Sequence, residues 1–250
     1  MRLRRNVITL CILYTDIDAV PPPSLIQLEQ APDLVDQVYR AMIDAISDGS
    51  LAPGQRLTQE ELANQLAVSR QPVLQALRLL KKDGLIQDAP GRGVLVAPLD
   101  VDWMRQVYQV RGALDALAAK LAAARRFQID SGLIARGREA AQGKDVKAMI
   151  DADMAFHQAI YAAAQNPLIA QSAQLHWHHL RRVMGAVLQS TQQRNSIWDE
   201  HEAIAQAMAA GQAERAAALI DHHSQQASNK LGARLSEQLF SRKTSTGDTL

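Results

Sequence analysis

From Leu34 onward the apolar residues Leu34, Val35, Val38, Tyr39, Met42 and Ile46 recur at helical spacing, and Asp48-Gly49 closes the stretch. Leu51-Ala-Pro-Gly-Gln-Arg-Leu57 then reads as a turn. Thr58-Gln-Glu-Glu61 has the pattern of a capping box, in which Thr58 and Glu61 satisfy each other's backbone donors. A short helix through Leu62 and Leu66 follows, and Ala67-Val68 makes a tight turn. Ser69 stands where it can cap a third helix running through Val73, Leu77 and Leu80 to Asp83-Gly84. Two short helices joined this closely predict a helix-turn-helix. Leu85-Ile-Gln87 and Val94-Leu-Val96 flank Ala89-Pro-Gly-Arg-Gly93, which predicts a hairpin. Residues 31–98 are therefore expected to form a winged helix-turn-helix, whose third helix can enter a DNA major groove while the wing reaches the backbone or minor groove.

From Asp100 the periodicity is helical almost without interruption. Asp100 can cap a helix carrying Met104, Val107, Tyr108, Arg111, Leu114, Leu117, Leu121 and Ala122 on a wide apolar stripe. Further helical segments cover 129–141, 146–165, 168–190, 197–210 and 213 to about 235, with breaks at Gly143, Asn166-Pro167 and Gly211. The fold class expected is mainly α: the winged domain, then an antiparallel all-α bundle of six or seven helices over residues 99–235. Residues 236–250 read as a frayed tail and residues 1–30, set off by Pro21-Pro-Pro23, as a flexible N-terminal extension.

Composition agrees with helix packed on helix: 47% of the 250 residues are hydrophobic but only 4% aromatic. A net charge of +1 leaves nucleic-acid binding to a local patch. Cys11 is the single cysteine, so a disulfide framework and a cysteine-based metal site are excluded. The basic start and the short apolar run Val7–Leu13 resemble a signal peptide only faintly, since Asp16 and Asp18 fall where small residues should be. No apolar run has the length of a membrane span, and the expected location is cytoplasmic, with no membrane partner.

The patch exists. Helix three and the wing carry Arg70, Arg78, Lys81, Lys82 and Arg92 against Asp83 and Asp88. Ordinary solvated surface charge would look similar, so the pattern needs support from elsewhere. In the second half the histidines are unevenly distributed: all seven, His157, His176, His178, His179, His201, His222 and His223, lie there. Asp153 and His157 are four apart and share a helix face, where they can hold one ion or simply hydrogen-bond to each other. His201 and His223 belong to two later helices, and three helices converging would supply three imidazoles and one carboxylate, a set suited to zinc, nickel or manganese. His176 and His179 sit at helical spacing too, although a polar helix face explains them as well.

Several runs resemble a known family. Gly49–Leu57, Glu61-Leu-Ala63, Leu66-Ala-Val-Ser-Arg-Gln-Pro-Val73, Ala76-Leu-Arg78, Gly84-Leu85 and Pro90-Gly-Arg-Gly93 resemble the DNA-binding domain of GntR-type transcriptional regulators. The resemblance implies DNA contacts at Ser69, Arg70 and Gln71 and around Arg92 and Gly93, with Arg78 on the same helix. It departs at Leu74-Gln75, where the family usually has Arg-Glu; Gln75 remains able to read a base edge beside Gln71. Val107–Asp115, Asp153-Met-Ala-Phe-His157, Ala163-Ala-Gln-Asn166 and Glu200-His-Glu-Ala-Ile204 are similar to the FCD ligand-binding domain of the FadR-like branch. That likeness implies metal ligands at Asp153, His157, His201 and, counting through Gly211, His223 rather than His222. It also implies a small organic acid completing the metal shell; a carboxylate wants an arginine, and Arg111, at a family position, with Arg181 and Arg182 are the candidates, Asn166 being a further expected contact. Asp115 replaces the family's usual Glu.

The function implied is a dimeric regulator, a repressor by family resemblance, bound to an inverted-repeat operator and controlled by an acid at its metal. A metal-dependent hydrolase is the rival class. It lacks an HExxH motif and a nucleophile elbow, and Glu200 is the one evident base. A third reading keeps the DNA-binding half and makes the metal purely structural.

Overall fold

The computed structural model describes residues 34–188 and 195–246, so the expected extension at 1–30 lies outside the described residues. The chain begins with α1 (Leu34–Asp48), followed by β1 (Arg56–Leu57), α2 (Gln59–Gln65), α3 (Arg70–Lys82), β2 (Ile86–Asp88) and β3 (Val94–Val96). Apolar faces set by the helical period meet in one core of Val38, Met42, Ile46, Leu62, Val73, Leu77, Leu80, Leu85 and Val96. The capping box is present: Thr58 and Glu61 bond reciprocally at the start of α2. Ser69 occupies the N-cap of α3, but its side chain makes no capping bond, contrary to expectation.

The wing has a third strand. Arg56 and Leu57, expected in a turn, pair antiparallel with Leu95 and Val94, giving the order β1-β3-β2. The Arg56 guanidinium donates to Pro90 O at 3.1 Å and to Arg92 O, tying the wing tip to β1. Gly93 has φ +93°, and a Cβ there would lie 2.5 Å from Leu57 O. The glycine is required by the close approach of the two strands.

Six helices follow: α4 (Val101–Ala124), α5 (Ser131–Gln142), α6 (Val146–Ala164), α7 (Pro167–Val187), α8 (Asn195–Ala209) and α9 (Ala213–Thr246). Asp100 caps α4 by accepting from Trp103 N at 2.9 Å. Buried Ala118, Ala119, Ala122 and Ala123 line α4 within a core that includes Phe156, Trp177, Trp198, Ile204, Met208 and Ile220. Gly137 of α5 lies against Trp198, where a Cβ would come within 2.0 Å of the indole. Residues 236–246, expected in a frayed tail, continue α9 instead. Leu235 is buried, Leu239 packs on the same core, and Ser236 and Ser241 bond back to Gly232 O and Glu237 O, so the last turns gain tertiary packing and lose no polar group.

Candidate metal centre and DNA-binding face

Asp153 and His157 project from α6, His201 from α8 and His223 from α9, and one donor atom of each lies within 4.8 Å of all the others. The three histidines are buried and Asp153 is half-buried. His222, one residue earlier, is exposed. The choice between the two late histidines therefore falls on His223, because α9 turns that residue and not its neighbour toward the core.

The Nε2 atoms of His201 and His223 face each other at 3.3 Å, and Asp153 Oδ1 is 3.5 Å from His201 Nε2. Metal–ligand bonds of 2.0–2.2 Å give a tetrahedral edge of roughly 3.3–3.6 Å, so these separations suit a small divalent cation. Neither ring nitrogen of His157 has a hydrogen-bond partner among the described residues, and neither has Nδ1 of His201. Orphaned imidazole nitrogens in an apolar core are costly unless something binds them, and a cation does so for those that point inward. Burial lowers the pKa of His157, with the Arg111 guanidinium adding to it. Burial also takes His201 well below its ordinary value, helped by His223 and His157. Neutral imidazole is the form that ligates metal.

Two carboxylates stand behind the cluster. His223 Nδ1 donates to Glu200 Oε2 at 2.8 Å, which turns its Nε2 lone pair toward the cluster. The bond from His223 lowers the Glu200 pKa against the opposing effect of burial. Asp115 Oδ2 lies 3.5 Å from His157 Nδ1, an electrostatic contact longer than a hydrogen bond, and 3.2 Å from Arg111 Nε. The Tyr161 hydroxyl also donates to Asp115. Burial pushes the Asp115 carboxyl up, but Arg111 and His157 outweigh it and hold it at about 2. Asp115, which carried no assigned consequence in the sequence, thus pairs with Arg111 and stands behind His157.

Beside the cluster is a cavity of about 200 Å³ whose lining includes Arg111, Asp153, Trp198, Glu200, His223, Lys230 and Arg234. Arg111 is buried, with its guanidinium 3.8 Å from the centroid of the Trp177 ring. The other residues expected at the effector, Asn166, Arg181 and Arg182, do not line this cavity. Asn166 instead caps α7, accepting from Leu168 N at 3.2 Å. Arg181 spends its charge on Asp44 at 3.6 Å and Asp151 at 3.7 Å. A cap needs the Asn side chain at its own helix end, and α7 turns Arg181 toward α1 and α6.

His179 is no ligand either. Its Nε2 lies 2.9 Å from Asp83 O, the C-cap of α3, while Arg182 donates to Ala97 O just beyond the wing. Among the described residues, the Asp153–His223 group is the one histidine–carboxylate cluster with metal-ligand spacing.

On the first domain Ser69, Arg70, Gln71, Gln75, Arg78, Arg92 and Gly93 are all exposed. The six outside Gly93 present side chains from the start of α3, its outer face and the wing. Arg70 is paired with Glu60 at 2.8 Å and Lys81 with Asp88 at 2.5 Å, so part of the positive face is internally compensated in the free protein. Arg56, Lys230 and Arg234 carried no signal in the sequence, while Glu200, which stood out there only as the one evident base beside His201, proves to support His223.

A winged helix joined to a helical bundle with a histidine–carboxylate cluster is the architecture of a DNA-binding regulator whose second domain could hold a metal. The comparisons agree. The family described as "Bacterial regulatory proteins, gntR family" matches residues 34–96, and the FCD domain matches residues 106–226. The chain thus carries a GntR-type DNA-binding domain followed by an FCD domain. It is 29% identical over 137 residues to an uncharacterized HTH-type transcriptional regulator from the TAR-I ttuE-ttuC' intergenic region of Agrobacterium vitis, covering 52% of this chain and 80% of that one. It is 28% identical over 166 residues to the HTH-type transcriptional repressor RspR of Escherichia coli strain K12, covering 64% and 69%. The solved structure of E. coli McbR/YncC superposes with a TM-score of 0.69 at 22% identity, over 79% of this chain and 96% of that one, a likeness of fold. No helix among the described residues is long and apolar enough to cross a membrane.

Proposed function

We propose that the protein is a cytoplasmic, metal-containing repressor that binds an inverted-repeat operator as a homodimer and is released by a small organic acid. The observation that carries this reading is the buried three-histidine, one-aspartate group opening onto a cavity that also holds Arg111. Zinc suits the donor set best, and nickel or manganese would be accepted by the same ligands. The acid's carboxylate would complete the metal shell and meet Arg111, whose charge Asp115 only partly answers. The name of RspR favours repression.

Dimerisation is supported by Trp103, Val110 and Leu117, which are 50%, 53% and 44% exposed and recur every seven residues along α4. A second copy laid on this stripe would bury it symmetrically and present two α3 helices to half-sites about one DNA turn, roughly 34 Å, apart. Signalling would run through α7. Trp177 packs against both Arg111 and His157, its ring centroid 5.3 Å from that of His157, while His179 and Arg182 two and five residues on hold the end of α3 and the exit of the wing. An acid that shifts Arg111 against Trp177 would move the helix that grips the DNA-binding domain. By linkage, operator DNA must weaken acid binding by the same factor.

The test is a footprint of the zinc-loaded dimer on DNA selected from random sequence. A two-fold symmetric protected site, lost on adding an acid that binds the protein, supports the reading. An asymmetric or acid-insensitive footprint overturns it.

A further inference from the structure

The cavity continues past the cluster along α9. His223, Ala227, Lys230 and Arg234 all line it, so they form one face of the helix turned toward the cavity. At 1.5 Å per residue, Lys230 lies about 10 Å and Arg234 about 16 Å along the axis from His223. Neither cation forms an ion pair or hydrogen bond with another described residue, while the Lys230 charge acts on the Glu200 carboxylate. The rest of the lining is mainly apolar, with Met184, Ile197 and Leu231 beside polar Ser196, Ser224 and Gln226. The three cations of the lining outnumber the two carboxylates, Asp153 and Glu200, before a divalent ion adds its charge.

One carboxylate at the metal and Arg111 would leave exposed Lys230 and half-buried Arg234, farther along the cavity, with no anionic partner among the described residues. We propose that α9 carries a second anion subsite, Lys230 with Arg234, which takes the distal acidic group of a small linear diacid. This rests on the reading of the cavity as an organic-acid site. Long side chains on a helix lean toward its N-terminus, here toward His223, so both cations reach back along the cavity. The span left corresponds to a diacid of about four to seven carbons. A monoacid of the same length fills the cavity but leaves both cations without a partner.

The experiment is calorimetric titration of the full-length, zinc-loaded protein with succinate, glutarate, adipate and pimelate, and with hexanoate as the monoacid matched to adipate. At least one diacid should bind tenfold or more tightly than hexanoate. In Lys230→Gln/Arg234→Gln that advantage should vanish, with zinc content and hexanoate affinity unchanged; Arg234→Gln alone should remove part of it. Equal binding of diacids and hexanoate by the unmodified protein, or a diacid preference that survives the double substitution, overturns the subsite while leaving the acid-and-metal reading standing. Binding of neither acid class by zinc-loaded protein overturns both.

Discussion

Glu200→Gln isolates the support that one carboxylate gives to one ligand. Glu200 is half-buried, and its Oε2 accepts the Nδ1–H of His223 at 2.8 Å. The amide can still accept that proton but brings no negative charge, so the imidazole becomes a poorer donor to the metal and less firmly oriented. Loss of such a supporting group typically costs 10–100-fold in metal affinity, or about 1.4–2.7 kcal/mol. With zinc in excess, the stabilisation that metal adds falls by the same amount. At about 2–4 °C per kcal/mol for a chain of this size, the rise in Tm on adding zinc should shrink by about 3–11 °C. The assay is a pair of thermal melts, zinc-loaded and chelator-treated, with a competition titration for affinity. The chelated forms of the two proteins should melt within a few degrees of each other. An unchanged zinc affinity and unchanged Tm rise would refute the claim that Glu200 orients His223 toward a metal.

Four further outcomes are expected. His223→Ala should strip most of the metal measured by elemental analysis, and His222→Ala almost none, since only the former side chain reaches the cluster; the reverse would put the register of α9 one residue out. Arg70→Ala should weaken binding to a selected operator and lower the slope of log affinity against log salt by about 1; an unchanged slope would remove Arg70 from the phosphate contacts. His179, held down at about 4 by burial against the raising effect of its bond to Asp83 O, stays neutral in the folded chain while the unfolded chain titrates near 6.5. Its contribution is therefore full above pH 6.5 and declines as pH falls from 6.5 toward 4, by at most roughly 3 kcal/mol, and denaturant melts of zinc-loaded His179→Gln should show a shallower decline in that window. Val110→Glu/Leu117→Glu should convert a dimer into monomers in sedimentation while leaving metal content intact; a persistent dimer would move the interface off α4.

Periodicity carries most of this fold. The helices of both halves are amphipathic at period 3.6, and their ends are marked by Thr58, Asp100, Asn166-Pro167 and Gly211, so their order could be read from the chain. β1 could not, because two residues have no periodicity and Arg56 and Leu57 are strand only through β3. The end of α9 was hidden for a related reason: Ser236 and Ser241 read as tail residues, yet each bonds back into its own helix while Leu235 and Leu239 supply packing.

The clustering of these four side chains was legible because i, i+4 spacing fixes Asp153 and His157 on one face, and the family resemblance pointed to the other two histidines. What surrounds the ligands was not. Family resemblance set Arg111 apart, but nothing in the sequence separated Arg181 from Arg182, and the rotation of α4 and α7 sends Arg111 to the cavity, Arg181 to Asp44 and Asp151, and Arg182 to Ala97 O. Lys230 and Arg234 lie on a helix whose polar positions gave no sign of which faced inward.

The most direct test of a metal-centred regulator is an anomalous difference map from crystals of the untagged protein, collected on both sides of the zinc edge. The expected result is one peak per chain, about 2.0–2.2 Å from Asp153, His157, His201 and His223. An empty cluster in protein that was never exposed to chelator, or a peak at His176 or His222 instead, would contradict it.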